Sequence, residues 1–173
     1  MNRPYNYLVF TVLAVIVPVI SLADKFSSEA SYEICFTPGQ NCTQMIVNEI
    51  KKAKKQILVQ MYTFTSKQII QALVAAKNRG VEVKILLDKS QLSLNYPLID
   101  FFVKNRISVQ IDKVKGIAHN KILIIDGVTT IGGSFNYTTS AQKNNVENVT
   151  IIKAPAFSKK YVDNWYSRKL RSI

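Results

Sequence analysis

The apolar positions of this chain fall into short blocks that switch between two periods. From Thr43 to Gln56 they recur every three to four residues, with Met45, Ile46, Ile50 and Ala53 on one side and Lys51, Lys52, Lys54 and Lys55 on the other. That spacing predicts an amphipathic helix. Ile57 to Phe64 is mostly apolar and reads as a largely buried strand. Ser66 stands where a cap would start a second helix, which runs to about Arg79 and stops at Gly80. Val81 to Leu87 is a further β-branched, apolar strand, so strand, helix and strand predict a right-handed parallel crossover. Pro97 suits the first turn of a helix over Leu98 to Asn105, and Ile107 to Ile111 reads as the strand that follows.

The second half has a different rhythm. Ile117 to Ile125 predicts a strand, Asp126-Gly127 a hairpin turn and Val128 to Ile131 the return strand. Gly132-Gly133 is expected to break the ladder and let the backbone approach something closely. Val146 to Lys153 is the last strand, before a helix from Pro155 to about Leu170 with Tyr161, Trp165 and Leu170 at core spacing. Together these elements predict an α/β fold, one mixed β-sheet flanked by helices on both faces. No internal repeat is present, and 173 residues suit one domain with a real core.

The N-terminus stands outside this pattern. Arg3 gives a short positive end, Tyr7 to Ile20 is uncharged and apolar, and Ser21-Leu22-Ala23 offers small residues at cleavage-type positions. This is the layout of a secretory signal peptide over 1–23, leaving a single domain over 24–173 and a secreted or periplasmic destination. A retained N-terminal membrane anchor is the rival reading, which so short an apolar run fits less well. In an exported chain, Cys35 and Cys42 around the Pro38-Gly39 turn predict a disulfide that clips a small loop. A zinc site would need more ligands than two cysteines and the chain's one histidine, so no metal or other cofactor is expected.

Charge narrows the partners. There are 23 Lys and Arg against 11 Asp and Glu, a formal net charge of +12. Loss of Arg3 with the leader would leave about +11. Such a balance favours nucleic acid or an anionic membrane face, although many exported proteins are basic without either partner.

The candidate chemistry lies in His119-Asn120-Lys121, in Gly132-Gly133-Ser134-Phe135-Asn136, and in Glu147. If His119 and Lys121 share a strand, they face the same way. Two potential cations side by side make poor packing but a good phosphate site. The lysine supplies fixed charge for non-bridging oxygens, and the imidazole can attack phosphorus or move protons. Ser134 and Asn136 share parity and can donate further hydrogen bonds to phosphate. Asp126, seven positions from His119, falls on the opposite face of a regular strand and reads as support for the turn.

His119, Lys121 and Asp126 match the HxKxxxxD motif of the phospholipase D superfamily, and Gly132-Gly133-Ser134-Phe135-Asn136 resembles the glycine-serine-asparagine extension of that family. The resemblance runs from about Cys35 to the C-terminus and is nearest to small secreted bacterial members, called phospholipase D or phospholipase D-like endonuclease. It implies metal-independent phosphodiester hydrolysis by two histidines, one attacking phosphorus to form a phosphohistidine and the other moving protons. It also implies a family role for Glu147 in orienting a histidine. Since His119 is the one histidine of the chain, the two must come from two copies, which implies a homodimer with the site at the subunit interface. Nucleic acid is the favoured substrate on charge and size. Phospholipid is the alternative, and a non-catalytic polyanion binder the remote one.

Overall fold

The computed structural model describes residues 24–94 and 96–172. The expected leader over 1–23 lies outside the described residues. Seven strands form one sheet in the order β1-β7-β6-β5-β2-β3-β4, where β1 is Ser31–Thr37, β2 Gln56–Met61, β3 Glu82–Asp88, β4 Ser108–Asp112, β5 Lys121–Ile125, β6 Thr129–Gly133 and β7 Glu147–Lys153. β2, β3 and β4 run parallel, while the β1, β7, β6, β5 half is antiparallel and joins β2 through β5. The sheet is therefore mixed, as expected.

Strand alternation sorts the side chains into two unequal layers. Val59, Ile85, Leu123, Ile131 and Val149 enter the larger core with α1 (Cys42–Lys52), α2 (Lys67–Asn78) and α4 (Tyr96–Lys104). Leu58, Leu86 and Ile124 face the other way and meet Trp165 of α6 (Pro155–Lys169). The Trp165 indole N–H donates to the Val59 carbonyl at 2.9 Å, which satisfies the polar atom of a buried ring. Helices thus cover both faces.

Local chemistry explains most boundaries. The Asn41 side chain accepts the Gln44 N–H and caps α1, whose last turn carries Lys51 and Lys52 at the negative end of its dipole. Pro155 opens α6, where its missing N–H costs nothing. Asp126 and Gly127 take φ of 54° and 69°, the left-handed pair of a tight hairpin turn, and the Val128 N–H closes it on the Ile125 carbonyl at 3.0 Å.

Several expectations are corrected. β1 was not expected; its alternation is masked because Tyr32, Ile34 and Phe36 stay exposed on one face while Cys35 and Thr37 are buried on the other. The Cys35–Cys42 disulfide forms as expected around the Pro38-Gly39 turn, joining this edge strand to the first residue of α1. For so short a closed loop, the chain-entropy contribution is about 2 to 3 kcal/mol. The expected break at Gly132 and Gly133 holds on one side only: pairing with β5 ends at Ile131, while pairing with β7 continues to Thr150 and Val149. Ser66 occupies the cap position of α2 without a capping bond from its hydroxyl. Leu170 lies beyond α6 and is exposed, so the core spacing ends at Trp165. Two short helices, α3 (Gln91–Leu94) and α5 (Thr139–Lys143), had no periodic signal to announce them.

Candidate active site

The residues singled out by chemistry gather at one end of the sheet, where β2 and β3 finish, β5 begins, β6 finishes and β7 begins. His119 is not in a strand. It ends the loop that leads into β5, and Lys121 is the first strand residue. The ladder continues one step past β5, since the Tyr62 N–H donates to the Asn120 carbonyl at 3.0 Å. His119 is exposed and Lys121 is 7% exposed, so the two differ in setting although only Asn120 separates them.

The pair is nevertheless held together. Lys121 Nζ donates to the His119 carbonyl at 2.8 Å. The Tyr62 ring packs edge-on against the imidazole, with centroids 4.6 Å apart, and Lys121 Nζ stands 5.2 Å from the centre of the same ring. One aromatic side chain therefore packs against both groups. Burial pulls the Lys121 ammonium below the usual lysine range, and the Glu147 carboxylate opposes that shift.

Gly133 explains how β6 meets β7. Its φ is +138°, and a Cβ there would lie 2.3 Å from the Asn148 carbonyl oxygen, closer than any side chain can stand. The expected close approach is thus to Asn148 of the neighbouring strand. It brings Ser134 beside Glu147: the serine hydroxyl donates to Glu147 Oε2 at 2.5 Å and accepts the Asn148 N–H at 3.1 Å. Asn145 Nδ2 donates to Glu147 Oε1 at 3.0 Å. Glu147 is engaged by Ser134 and Asn145 within the chain, and the Ser134 proton is already given to that carboxylate. Asn136 differs, because its side-chain oxygen is buried and has no partner in the fold.

Asp126 is a supporting residue. Its carboxylate accepts the N–H groups of Lys54, Lys55 and Gln56 at 2.9, 2.8 and 2.9 Å, fastening the β5–β6 turn to the chain entering β2. Burial raises this carboxyl, but the three backbone donors outweigh it and hold the group below its ordinary value.

Asp88, at the end of β3, reads as a turn cap, and it does accept the Ser90 N–H at 2.9 Å. Its other oxygen accepts the Ala118 N–H at 2.6 Å, one residue before His119. Lys89 Nζ donates to the carbonyls of Val114 and Lys115 at 2.8 and 3.1 Å. The end of β3 thus shapes the loop that presents His119. Beside that loop is a hollow of 390 Å³ lined by Ala118, His119, Asn120, Asn164, Asp112 and Arg168 among others. Among the described residues, no cluster of three or more His, Cys, Asp or Glu side chains could hold a metal ion.

The family model for "Cardiolipin synthase, PLD-like domain" matches residues 46–168, which span all of these groups. The chain belongs to the phospholipase D superfamily. It is similar to a protein named phospholipase D from Rickettsia conorii, 44% identical over 142 residues, 82% of this chain and 71% of the relative. Human mitochondrial cardiolipin hydrolase is 28% identical over 127 residues, 73% of this chain and half (50%) of that protein. Among solved structures, the phospholipase D family member Nuc from Salmonella typhimurium aligns with a TM-score of 0.80 at 31% identity, covering 84% of this chain and 97% of Nuc.

As a phospholipase D superfamily member the chain is a phosphodiester hydrolase. Sequence reading singled out His119, Lys121, Ser134 and Asn136 by chemistry and spacing and Glu147 through the family resemblance, and the structure brings them to one end of the sheet. That reading missed Tyr62, because a tyrosine at a strand end carries no period of its own. From its strand end Asp88 could sit near the site, but turn capping was the favoured reading, because the bond to Ala118 spans 30 positions.

Proposed function

We propose that this chain hydrolyses phosphodiesters through a covalent phosphohistidine, at a site completed by a second copy of the chain. His119 of one copy attacks phosphorus, and the bond to the leaving oxygen breaks as His119 of the other copy protonates that oxygen. The second histidine then takes a proton from water, which attacks phosphorus and frees the first. Lys121 and the Asn136 amide face the non-bridging oxygens, where negative charge must be balanced. Ser134 and Glu147 hold the floor beneath them. The observation that carries this reading is the joint placement of His119, Lys121, Ser134, Asn136 and Glu147 at one end of the sheet, in a chain whose one histidine cannot supply both halves of the mechanism.

Nucleic acid is the substrate we favour. The net charge is +12, and the loop leading into His119 carries Lys113 and Lys115, both exposed. Phospholipid is the second reading, supported by the names of the relatives and by the exposed Tyr32, Ile34 and Phe36 of β1, which lead toward the same end of the sheet. The reaction needs no metal in this scheme. We further propose that residues 1–23 direct export.

The test is purified protein in excess EDTA, offered plasmid DNA and phosphatidylcholine vesicles in parallel, beside the His119→Asn variant. Cleavage of DNA by the wild type and none by the variant is expected. Complete loss of activity with EDTA, restored by Mg²⁺, would overturn the mechanism, and vesicle hydrolysis without DNA cleavage would replace the substrate.

A further inference from the structure

A second polar hollow opens at the same end of the sheet, and the catalytic scheme does not use it. Its volume is 310 Å³, and its walls include Thr43, Ser66, Lys67, Thr138, Gln142 and Lys143. Both main walls continue segments of the site. Ser66 follows the end of β2, and Thr138 comes two residues after Asn136. Four residues from Ser134 to Thr138 place the hollow within about 14 Å of the site. Tyr137 ties the walls together, its carbonyl accepting the N–H groups of Thr65 and Ser66 at 2.7 Å each.

The hollow has the chemistry of an anion site. α2, 12 residues long, begins in its wall, with the orphan N–H groups and positive dipole end of a helix start. No acidic residue stands in the first turn of α2 to neutralise that end. Ser66 is 6% exposed at the cap position, yet its hydroxyl makes no capping bond. The hydroxyl has no protein partner among the described residues and lines the hollow, so it is free to donate there. Lys67 and Lys143 stand exposed on the two walls, neither in an ion pair among the described residues, and no carboxylate lines the space.

We propose that this hollow is a phosphate subsite, holding a neighbouring backbone phosphate of nucleic acid while His119 engages the scissile one. It rests on the nucleic-acid reading above. The Ser66 hydroxyl and the first N–H groups of α2 donate to the phosphate, and Lys67 and Lys143 supply charge from opposite sides. The subsite adds affinity for a chain of phosphates and leaves the chemistry at an isolated diester unchanged.

The experiment compares wild type, Ser66→Ala and the Lys67→Ala/Lys143→Ala double variant on two substrates. Bis(4-nitrophenyl) phosphate is a single diester with no neighbouring phosphate; a single-stranded oligonucleotide has many. The double variant should turn over the small diester within about twofold of wild type, while its oligonucleotide KM rises about tenfold. The dependence of log KM on log salt should flatten by about 0.7, the value for one lost single-strand phosphate contact. An unchanged oligonucleotide KM, or equal losses on both substrates, overturns the subsite. Wild-type protein that ignores the oligonucleotide removes the nucleic-acid reading instead, and this ligand with it. Titration with inorganic phosphate separates the two failures: shifts of the Lys67 and Gln68 amide resonances that weaken in Ser66→Ala support an anion subsite, and no shifts in the wild type overturn it.

Discussion

The buried carboxylate of Asp88 accepts the Ala118 N–H at 2.6 Å, so the end of β3 fixes the backbone one residue before the histidine. A 30-residue separation in sequence becomes a direct hydrogen bond. Because His119 itself lies in a loop, its aim depends on such ties more than on strand geometry.

Asp88→Ala is therefore expected to act twice. It strands the Ala118 and Ser90 N–H groups, at about 1 to 3 kcal/mol each where buried, and loosens the histidine. A fall in kcat of about 10- to 100-fold with little change in KM is expected from misplacement of the reacting group. Asp88→Asn keeps one acceptor and should recover part of the rate. If folded Asp88→Ala protein keeps wild-type kcat, the residue is structural only. A thermal melt of each variant distinguishes loss of fold from loss of aim.

Tyr62 makes a separate prediction. Its ring, not its hydroxyl, meets His119 and Lys121. Tyr62→Phe should remain within about twofold of wild-type kcat, whereas Tyr62→Ala should lose about tenfold, since it removes the face against which both groups rest. A large loss in Tyr62→Phe would mean that the hydroxyl takes part directly.

Asp126 predicts how the fold responds to acid. Its folded carboxyl is held below the ordinary value, because the donors from Lys54, Lys55 and Gln56 together outweigh burial. The unfolded chain then binds the proton more tightly than the folded one, so stability rises with pH over this range. The contribution is fully present above about pH 5 and is lost as the pH falls through about 4 toward the depressed folded value. Denaturant melts from pH 6 to pH 2 should show Asp126→Asn starting lower and losing less stability on acidification. A variant with the same acid slope as wild type would show that Asp126 does not drive that transition.

How much of this was legible in the chain depends on the range of the interaction. Helices α1, α2 and α6 and the strands of the core announced themselves through period, because burial of one face is a local pattern. The β5–β6 hairpin was legible from Asp126-Gly127, where backbone conformation is a property of two residues. β1 was not, since half of its alternation is apolar yet exposed. The glycine pair does end the pairing with β5, but the sequence did not show that Gly133 stays paired with β7 so that Asn148 can close in. The site residues were found by chemistry, but their relations were not. Ser134 gives its proton to Glu147, Glu147 holds Ser134 and Asn145, and His119 precedes its strand. These depend on which strands become neighbours, and β6 beside β7 is a tertiary fact.

The proposed two-copy site makes the last prediction a matter of counting. If every chain were complete, a mixture of wild type and His119→Asn in equal amounts would keep half of the wild-type activity. If the site takes one histidine from each copy, only dimers with two wild-type chains work, and random reassortment leaves about a quarter. The mixture should be refolded together from denaturant so that copies exchange, and activity measured against the mole fraction of wild type. A parabola is expected, with the same dimer mass at every fraction by light scattering. A straight line, or full activity in a species with the mass of one chain, would show that His119 acts without a second copy and would remove the two-histidine scheme.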